Sequence, residues 1–233
     1  MNDLTEKTLR TERKYTGKII SVDLLDIELP DGRRAKREVI RHGNAVAILA
    51  RRPDGKFVFV RQYRKAAEEA LVEVIAGGLE AGEDPIEGAK REVIRHGNAV
   101  AILARRPDGR FVFVRQYRKA AEEALVEVIA GGLEPGEDPI EGAKRETAEE
   151  TGYEVTSIKF LTTIICTPGY CEERIHIYFA ELSETAHGQD QDPDENVYPV
   201  VLSETEVEDG IRKGTIFDAK TLAAWSCYKL TLP

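Results

Sequence analysis

Residues 131–153 read GGLEPGEDPIEGAKRETAEETGY, and this stretch carries the start and stop signals of one helix. Asp138 is a good N-cap, Pro139 suits the first helical position, and Glu141 completes a capping box with the aspartate. Gly152 can end the helix in the left-handed conformation, which costs a glycine little. The stretch therefore predicts a helix that begins after Asp138 and ends at Gly152.

Three glutamates of this predicted helix, Glu146, Glu149 and Glu150, lie at positions i, i+3 and i+4 and share one face. Like charges at this spacing destabilise a helix by about a few tenths of a kcal/mol each. A cation that prefers oxygen ligands removes the repulsion. Mg²⁺ suits the pattern because it takes a few carboxylates together with waters and phosphate oxygens. The alternative is a solvated acidic face, which is the usual explanation for such a cluster when it stands alone.

The cluster belongs to a longer pattern, G-x5-E-x7-R-E-U-x-E-E-x-G-U, which is the Nudix box. The matching residues are Gly131, Glu137, Arg145, Glu146, Glu149, Glu150, Gly152 and Tyr153. Seven fixed identities at residue frequencies near ~7% give a chance match on the order of one in a million. The segment therefore resembles the Nudix hydrolases, with Thr147 departing from a position that is normally aliphatic.

Outside the box, the resemblance extends to the ADP-ribose pyrophosphatase branch of that family. The stretches that carry it are KREVIRHGNAVAILA, VRQYRKAAEEALVEVIAGG, TPGYCEE and DAKTLAAW. Sugar-nucleotide hydrolases of the same branch share several of these motifs. The fold that the resemblance implies is α/β (α+β), a mixed β-sheet sandwiched by helices, with a small N-terminal antiparallel sheet.

The resemblance also implies a metal site and a general base. The carbonyl of Ala130 and the three helix glutamates would hold Mg²⁺, for which Mn²⁺ is a substitute. Glu173 would be the base that deprotonates the attacking water, and Arg145 would pair with Glu137 to brace the loop. Glu172 is the alternative base, because adjacent loop carboxylates cannot be told apart from sequence. In-line attack at phosphorus depends on positioning and charge neutralisation, which these residues would supply.

Four charged residues resemble the substrate contacts of that branch: Arg118, Glu127, and Arg37 or its counterpart Arg91. Ordinary charges on strand surfaces are an equally good explanation. The expected substrate is a nucleoside diphosphate sugar, with ADP-ribose first and GDP-mannose second. A catalytically silent binding module is the alternative from another class. The resemblance further implies a homodimer.

A long internal repeat dominates the N-terminal half of the chain. Residues 37–90 recur as residues 91–144, a period of 91 − 37 = 54, and only Lys56/Arg110 and Ala81/Pro135 differ. Solenoid repeats diverge far more than this, so we interpret the repeat as a recent or engineered tandem duplication. Removing one copy leaves 233 − 54 = 179 residues, a plausible size for one enzyme domain.

The first copy carries a defective box. Adding 54 places Arg95 and His96 at the positions of Glu149 and Glu150, so a cation and an imidazole replace two carboxylates. The sequence therefore predicts one active site, built on the second copy. Residues 91–96 follow a capped helix start at Asp84 but also copy a strand end, and we predict that they are helical.

The rest of the chain gives a coarse pattern of elements. Residues 18–29 and 33–41 predict a hairpin around the turn Pro30-Asp31-Gly32. Short β-rich runs predict strands at 45–50, 57–63, 99–104, 111–117, 158–165, 174–180 and 196–202. Residues 204–213 and 219–230 are predicted to be helices. We accordingly divide the chain into an N-terminal β subdomain (1–42), the first copy (43–90) and the catalytic domain (91–233).

Composition narrows the class of protein further. The net charge is −9, and an acidic loop at 190–195 argues against a nucleic-acid groove, which needs a basic face. No apolar run approaches the ~20 residues that span a bilayer, so we expect no membrane partner. The N-terminus lacks the apolar segment of a signal peptide. The three cysteines show no metal spacing or even framework, and free thiols in a reducing cytoplasm are expected.

Overall fold

The computed structural model describes residues 4–17, 20–43, 45–52, 55–78, 98–168, 171, 173–190 and 196–231. Three strands form the N-terminal sheet: β1 (Lys7–Thr16), β2 (Ile20–Glu28) and β3 (Arg34–His42), antiparallel in that order. The predicted hairpin is therefore confirmed as β2 and β3. Gly32, at φ 86°, closes its turn by donating a hydrogen bond to the carbonyl of Leu29 at 2.9 Å.

The strand β1 was not predicted from the sequence. Nearly all of its side chains are exposed, so it lacks the apolar alternation that reveals a half-buried strand. It is held by backbone pairing along β2, with irregularities between Thr8 and Arg10 and between Arg13 and Tyr15. Its presence depends on a neighbouring strand rather than on its own pattern.

The main sheet has seven strands and is built from the second copy and the residues after it. The second copy contributes β10 (Ala99–Arg105), β11 (Phe111–Arg118), β12 (Glu123–Glu127) and β13 (Ile129–Gly132). The later strands are β14 (Tyr153–Ile164), β15 (Ile175–Ala186) and β16 (Val197–Leu202). The order is β12-β11-β10-β15-β14, while β13 also pairs with β10 and β16 with β11. Among the described strands of this sheet, the β10–β15 pair is parallel and the other pairs are antiparallel, which confirms the predicted mixed sheet.

Helices cover both faces of the main sheet. On one face, Leu103 and Phe113 pack in a buried cluster with Trp225 and Tyr228 of α3 (Ala219–Thr231) and with Val207 of α2 (Glu204–Lys213). On the other face, the buried cluster includes Val100, Ile102 and Val112 of the sheet and Ala143 of α1 (Pro139–Thr151). The strands β10 and β11 are consequently buried on both sides and form the centre of the core.

The helix α1 has the ends that the sequence predicts. The side chain of Asp138 accepts from the backbone N–H groups of Ile140 and Glu141, and Gly152 ends the helix at φ 75°. A Cβ at Gly152 would overlap the carbonyl of His187, so that residue must be glycine on two counts. Thr147 is fully buried and donates a hydrogen bond to the carbonyl of Ala143 at 2.7 Å, which satisfies its hydroxyl where an aliphatic side chain is usual.

The first copy forms short two-stranded ladders that do not join the main sheet. Its strands are β4 (Ala45–Ile48), β5 (Ala50–Arg51), β6 (Phe57–Val58), β7 (Val60–Arg64), β8 (Glu69–Glu73) and β9 (Ile75–Gly78). They pair as β4–β9, β5–β6 and β7–β8. The second copy thus fills the core. The helix predicted at residues 91–96 lies outside the described residues. Across the described ranges, no helix is both long enough and apolar enough to cross a membrane.

Candidate active site at the end of strand β13

The glutamate face of α1 lies against the end of β13. The backbone N–H of Ala130 donates to the Glu150 carboxylate at 3.4 Å, and Glu150 is only 3% exposed. A Cβ on Gly131 would overlap the carboxylate of Glu146, whereas a Cβ on Gly132 would meet nothing within 4 Å. The first glycine of the box therefore leaves the space in which the carboxylate of Glu146 approaches the strand backbone.

Arg145 holds the loop before α1 to the helix. Its guanidinium donates to both carboxylate oxygens of Glu137, at 2.9 and 3.0 Å, and to the carbonyl of Gly132 at 3.0 Å. This pairing confirms the bracing role expected for Arg145. The same guanidinium also reaches Glu146 at 2.8 Å and Glu149 at 2.9 Å. It therefore offsets the repulsion among the helix carboxylates. From the sequence alone, this role was expected of a bound cation.

Two of the predicted metal ligands, Glu146 and Glu150, lie against the end of β13, but the predicted ligands do not form a ready cluster. In the part of the chain that the structure describes, no group of three or more His, Cys, Asp or Glu residues is arranged to hold an ion. Glu146 and Glu149 are instead turned toward Arg145, and Glu150 toward the backbone of Ala130. The donors are nevertheless all oxygens, two carboxylates meet the end of β13, and this chemistry fits Mg²⁺.

Arg118 and Glu127, predicted as substrate contacts, form a bidentate ion pair with N–O distances of 2.7 and 2.8 Å. Glu127 is fully buried and also accepts from Lys220, which in turn pairs with Asp218 at 3.0 Å. Burial acts to raise the pKa of Glu127, but Arg118 and Lys220 outweigh it and lower that pKa below its usual value. The alternative of ordinary surface charges therefore does not describe Glu127.

Sequence reasoning did not single out Lys220 and Asp218. The signal was available, because both residues stand in the DAKTLAAW stretch at the start of α3. Asp218 also accepts from the backbone and the hydroxyl of Thr221, and the Thr221 hydroxyl accepts from the backbone of Val128. The start of α3 is thereby joined to the strand segment beside Glu127.

Glu173 lies in the segment before β15. Desolvation, followed by the negative charges of Glu173 and Asp218, raises the pKa of the Cys166 thiol. The carbonyl of Arg174 accepts from the backbone of Ala99 at 2.9 Å, and this bond fixes the segment to β10. Glu172, the alternative base, lies outside the described residues.

Arg37 has a different environment from Arg118. It donates to Glu6 at 2.8 Å, and the carbonyl of Glu6 accepts from Lys119 at 3.2 Å. Arg37 thus belongs to the contact between the N-terminal sheet and the turn after β11. Its counterpart Arg91 lies outside the described residues.

The Glu137–Arg145 pair gives a testable pH dependence. Hydrogen bonds from Arg145 and from the backbone of Glu134 lower the pKa of Glu137 from 4.5 to about 2. A carboxylate whose pKa is lowered by folding contributes stability above its unfolded pKa and loses it as the pH falls toward the folded value. We expect Glu137→Gln to lower the melting temperature at neutral pH, and the difference from wild type to shrink between pH 4.5 and 2.

Thermal unfolding followed by circular dichroism across this pH range measures the effect. Glu134→Gln is the matched control, because its exposed side chain stands in the same loop and is expected to leave the pH profile unchanged. A Glu137→Gln difference that stays constant down to pH 2 would contradict the assignment.

Comparison with known proteins agrees with this geometry. The NUDIX domain matches residues 41–94 and 95–224, and the nucleoside diphosphate sugar hydrolase N-terminal domain matches residues 6–40. The structure titled "Crystal structure of ADP compounds hydrolase" superposes with a TM-score of 0.53 at 18% identity. That superposition covers 99% of this chain and 96% of the other, and it supports the fold.

Curated relatives cover most of the chain. The methanol dehydrogenase activator of Bacillus methanolicus is 31% identical over 220 residues, covering 94% of this chain and 90% of that protein. The ADP-ribose pyrophosphatase of Bacillus subtilis (strain 168) is 30% identical over 228 residues, covering 96% and 92%. The GDP-mannose pyrophosphatase of Cronobacter sakazakii is 32% identical over 142 residues, covering 57% and 74%. The NUDIX domain matches most of this chain, and the helix of the box packs on the main sheet. The chain therefore belongs to the Nudix hydrolase family.

Proposed function

We propose that this Nudix hydrolase uses Mg²⁺ to hydrolyse ADP-ribose to AMP and ribose 5-phosphate. The observation that carries the proposal is that two α1 carboxylates, Glu146 and Glu150, lie against the end of β13. The Bacillus subtilis relative, named an ADP-ribose pyrophosphatase, matches 96% of this chain and supports the choice of substrate.

The metal would be held by the carbonyl of Ala130 with Glu146, Glu149 and Glu150, and Mn²⁺ could substitute. When bound, a divalent cation neutralises charge on the diphosphate and lowers the pKa of a coordinated water. The chain prepares this site in two ways. Gly131 leaves room for the Glu146 carboxylate, and Arg145 keeps the loop before α1 closed against the helix.

Arg118 is proposed to contact the substrate, with Glu127 as the residue that positions it. The Arg118 side chain is 40% exposed, while that of Glu127 is 1% exposed. A buried carboxylate bound bidentately fixes the plane of the guanidinium, which leaves its exposed side able to meet an anionic or polar group. We propose the same kind of contact for Arg37 or Arg91, supported by the family resemblance.

The proposal is tested by a substrate panel at saturating Mg²⁺. ADP-ribose, GDP-mannose and ADP-glucose are compared by the phosphate released after phosphatase treatment. We expect the highest kcat/KM for ADP-ribose. A higher value for GDP-mannose would favour the second candidate, which the Cronobacter sakazakii relative supports. Hydrolysis of none of the three would contradict the proposed substrate class.

Glu173 is proposed as the general base that accepts the proton of the attacking water. We expect Glu173→Gln to lose roughly two to four orders of magnitude in kcat with little change in KM, because the amide keeps the shape but not the basicity. Glu172→Gln is the comparison, and it is expected to lose much less. Steady-state kinetics on ADP-ribose measures both, and the reverse ranking would assign the base to Glu172.

The contact between Gly131 and Glu146 predicts a sharp difference between adjacent glycines. Gly131→Ala must displace the Glu146 carboxylate, and we expect activity to fall roughly 10- to 100-fold, as for other losses of metal-site support. Gly132→Ala is the matched control, because its added Cβ meets no atom within 4 Å. Titration of activity with Mg²⁺ measures both variants. Equal Mg²⁺ dependence in the two would refute the proposed role of Gly131.

Organisation and assembly remain proposals that rest on the sequence. We retain the division into residues 1–42, 43–90 and 91–233, with the repeat arising by tandem duplication and the single metal site on the second copy.

We also propose that the protein is a cytoplasmic homodimer. Tyr15, Val22 and Ile40 align across the N-terminal sheet, and the exposure of Tyr15 and Ile40 supports a subunit contact there. Sedimentation velocity that shows only monomers would exclude the dimer.

A further inference from the structure

The first copy reproduces the pairing register of the second copy, although its strands are shorter and more broken. Ala45 pairs with Gly78 as Ala99 pairs with Gly132, and the other ladders keep the same offset of 54. Val60 opposite Glu73 likewise repeats Val114 opposite Glu127. Arg64 and Glu73 form the same bidentate ion pair as Arg118 and Glu127. Glu68 and Glu122 share an unusual positive φ, 55° and 58°. The first copy is therefore a structural replica of β10–β13.

The two copies differ in what surrounds them. Leu103 and Phe113 are fully buried, whereas their counterparts Leu49 and Phe59 are 60% and 51% exposed. Phe57 and Val60 are exposed as well, while Phe111 and Val114 are buried. The second copy is covered because β10 pairs with β15, β11 pairs with β16, and helices pack on both faces. Those partners occur once in the chain, so one copy must go without them.

The two copies differ too little in sequence to favour one of them strongly in the main sheet. The two differing pairs of positions lie outside the buried core: Arg110 is exposed, and Pro135 stands in the exposed loop before α1. Arg110 adds one hydrogen bond to the carbonyl of Val201, at 3.0 Å. Every core side chain of β10–β13 has an identical counterpart in the first copy.

We propose that the two copies compete for a single place in the main sheet, and that either can pair with β15 and β16. In the alternative arrangement, residues 45–78 follow β3 directly into the sheet, and residues 79–132 become the insertion. That insertion ends just before the exposed loop that precedes α1, so α1 and its three glutamates keep their place. The entropic cost of closing a loop grows only slowly with its length, so chain entropy does not separate the two arrangements.

The competition is tested with Phe59→Asp, Phe113→Asp and the double variant in the full-length chain. A charge in the core is tolerated only if the affected copy is excluded from it. We expect each single variant to keep a cooperative thermal transition, because the unaltered copy fills the sheet, and the double variant to lose it. Phe113→Asp alone losing the transition as completely as the double variant would overturn the proposal. A double variant that still unfolds cooperatively would overturn it as well.

Hydrogen exchange locates the copy in the core directly. Residues 57–64 and 111–118 have the same sequence, FVFVRQYR, and the substitution gives the two peptides different masses. In Phe113→Asp we expect slow exchange to move from residues 111–118 to residues 57–64, and in Phe59→Asp to stay at 111–118. If residues 111–118 stay protected in Phe113→Asp, the first copy has not replaced the second in the main sheet, and the proposal is refuted. Neither measurement uses a substrate, so the result is independent of the proposed function.

Discussion

The close approach of the Glu146 carboxylate to the backbone of Gly131 is the constraint on which the site depends. Gly131, the residue before the last of β13, leaves the space for this carboxylate because it has no side chain. The helix is held there by Ala143 in the buried cluster and by the Ala130–Glu150 hydrogen bond. In isolation this helix face would be unfavourable, because its three carboxylates repel one another. The packing of α1 brings the face to the end of β13.

Arg145 gives this arrangement its electrostatic balance. One guanidinium contacts Glu137, Glu146 and Glu149, so it links the loop before α1 to the acidic face of the helix. These contacts are partly solvent-exposed, and each contributes modestly. Their combined effect is positional, because they fix the loop and two of the three helix carboxylates relative to the same residue. The ion-pair network at Glu127 joins β12 to the start of α3, through Lys220 of the helix and the preceding Asp218.

The repeat shows directly how tertiary context determines burial. Phe59 and Phe113 lie in copies that differ only at Lys56/Arg110 and Ala81/Pro135, yet one is exposed and the other is in the core. Local sequence specifies the hairpins and their register, which are the same in both copies. What it does not specify is access to β15, β16 and the helices, since those elements exist in a single set.

The sequence by itself determined the box helix from Asp138 to Gly152 and the N-terminal hairpin, which rest on capping residues, turn residues and alternation. The mixed sheet and the Arg145–Glu137 pair were expected from the family resemblance that the box motif carries. Only the tertiary structure decided that the second copy fills the core, that β1 pairs with β2, and that Lys220 joins Glu127. These features join segments far apart in the chain, or a strand that is exposed on both faces. The local sequence pattern is the same in the two copies. It therefore cannot tell which copy pairs with β15 and β16, since only one of them can.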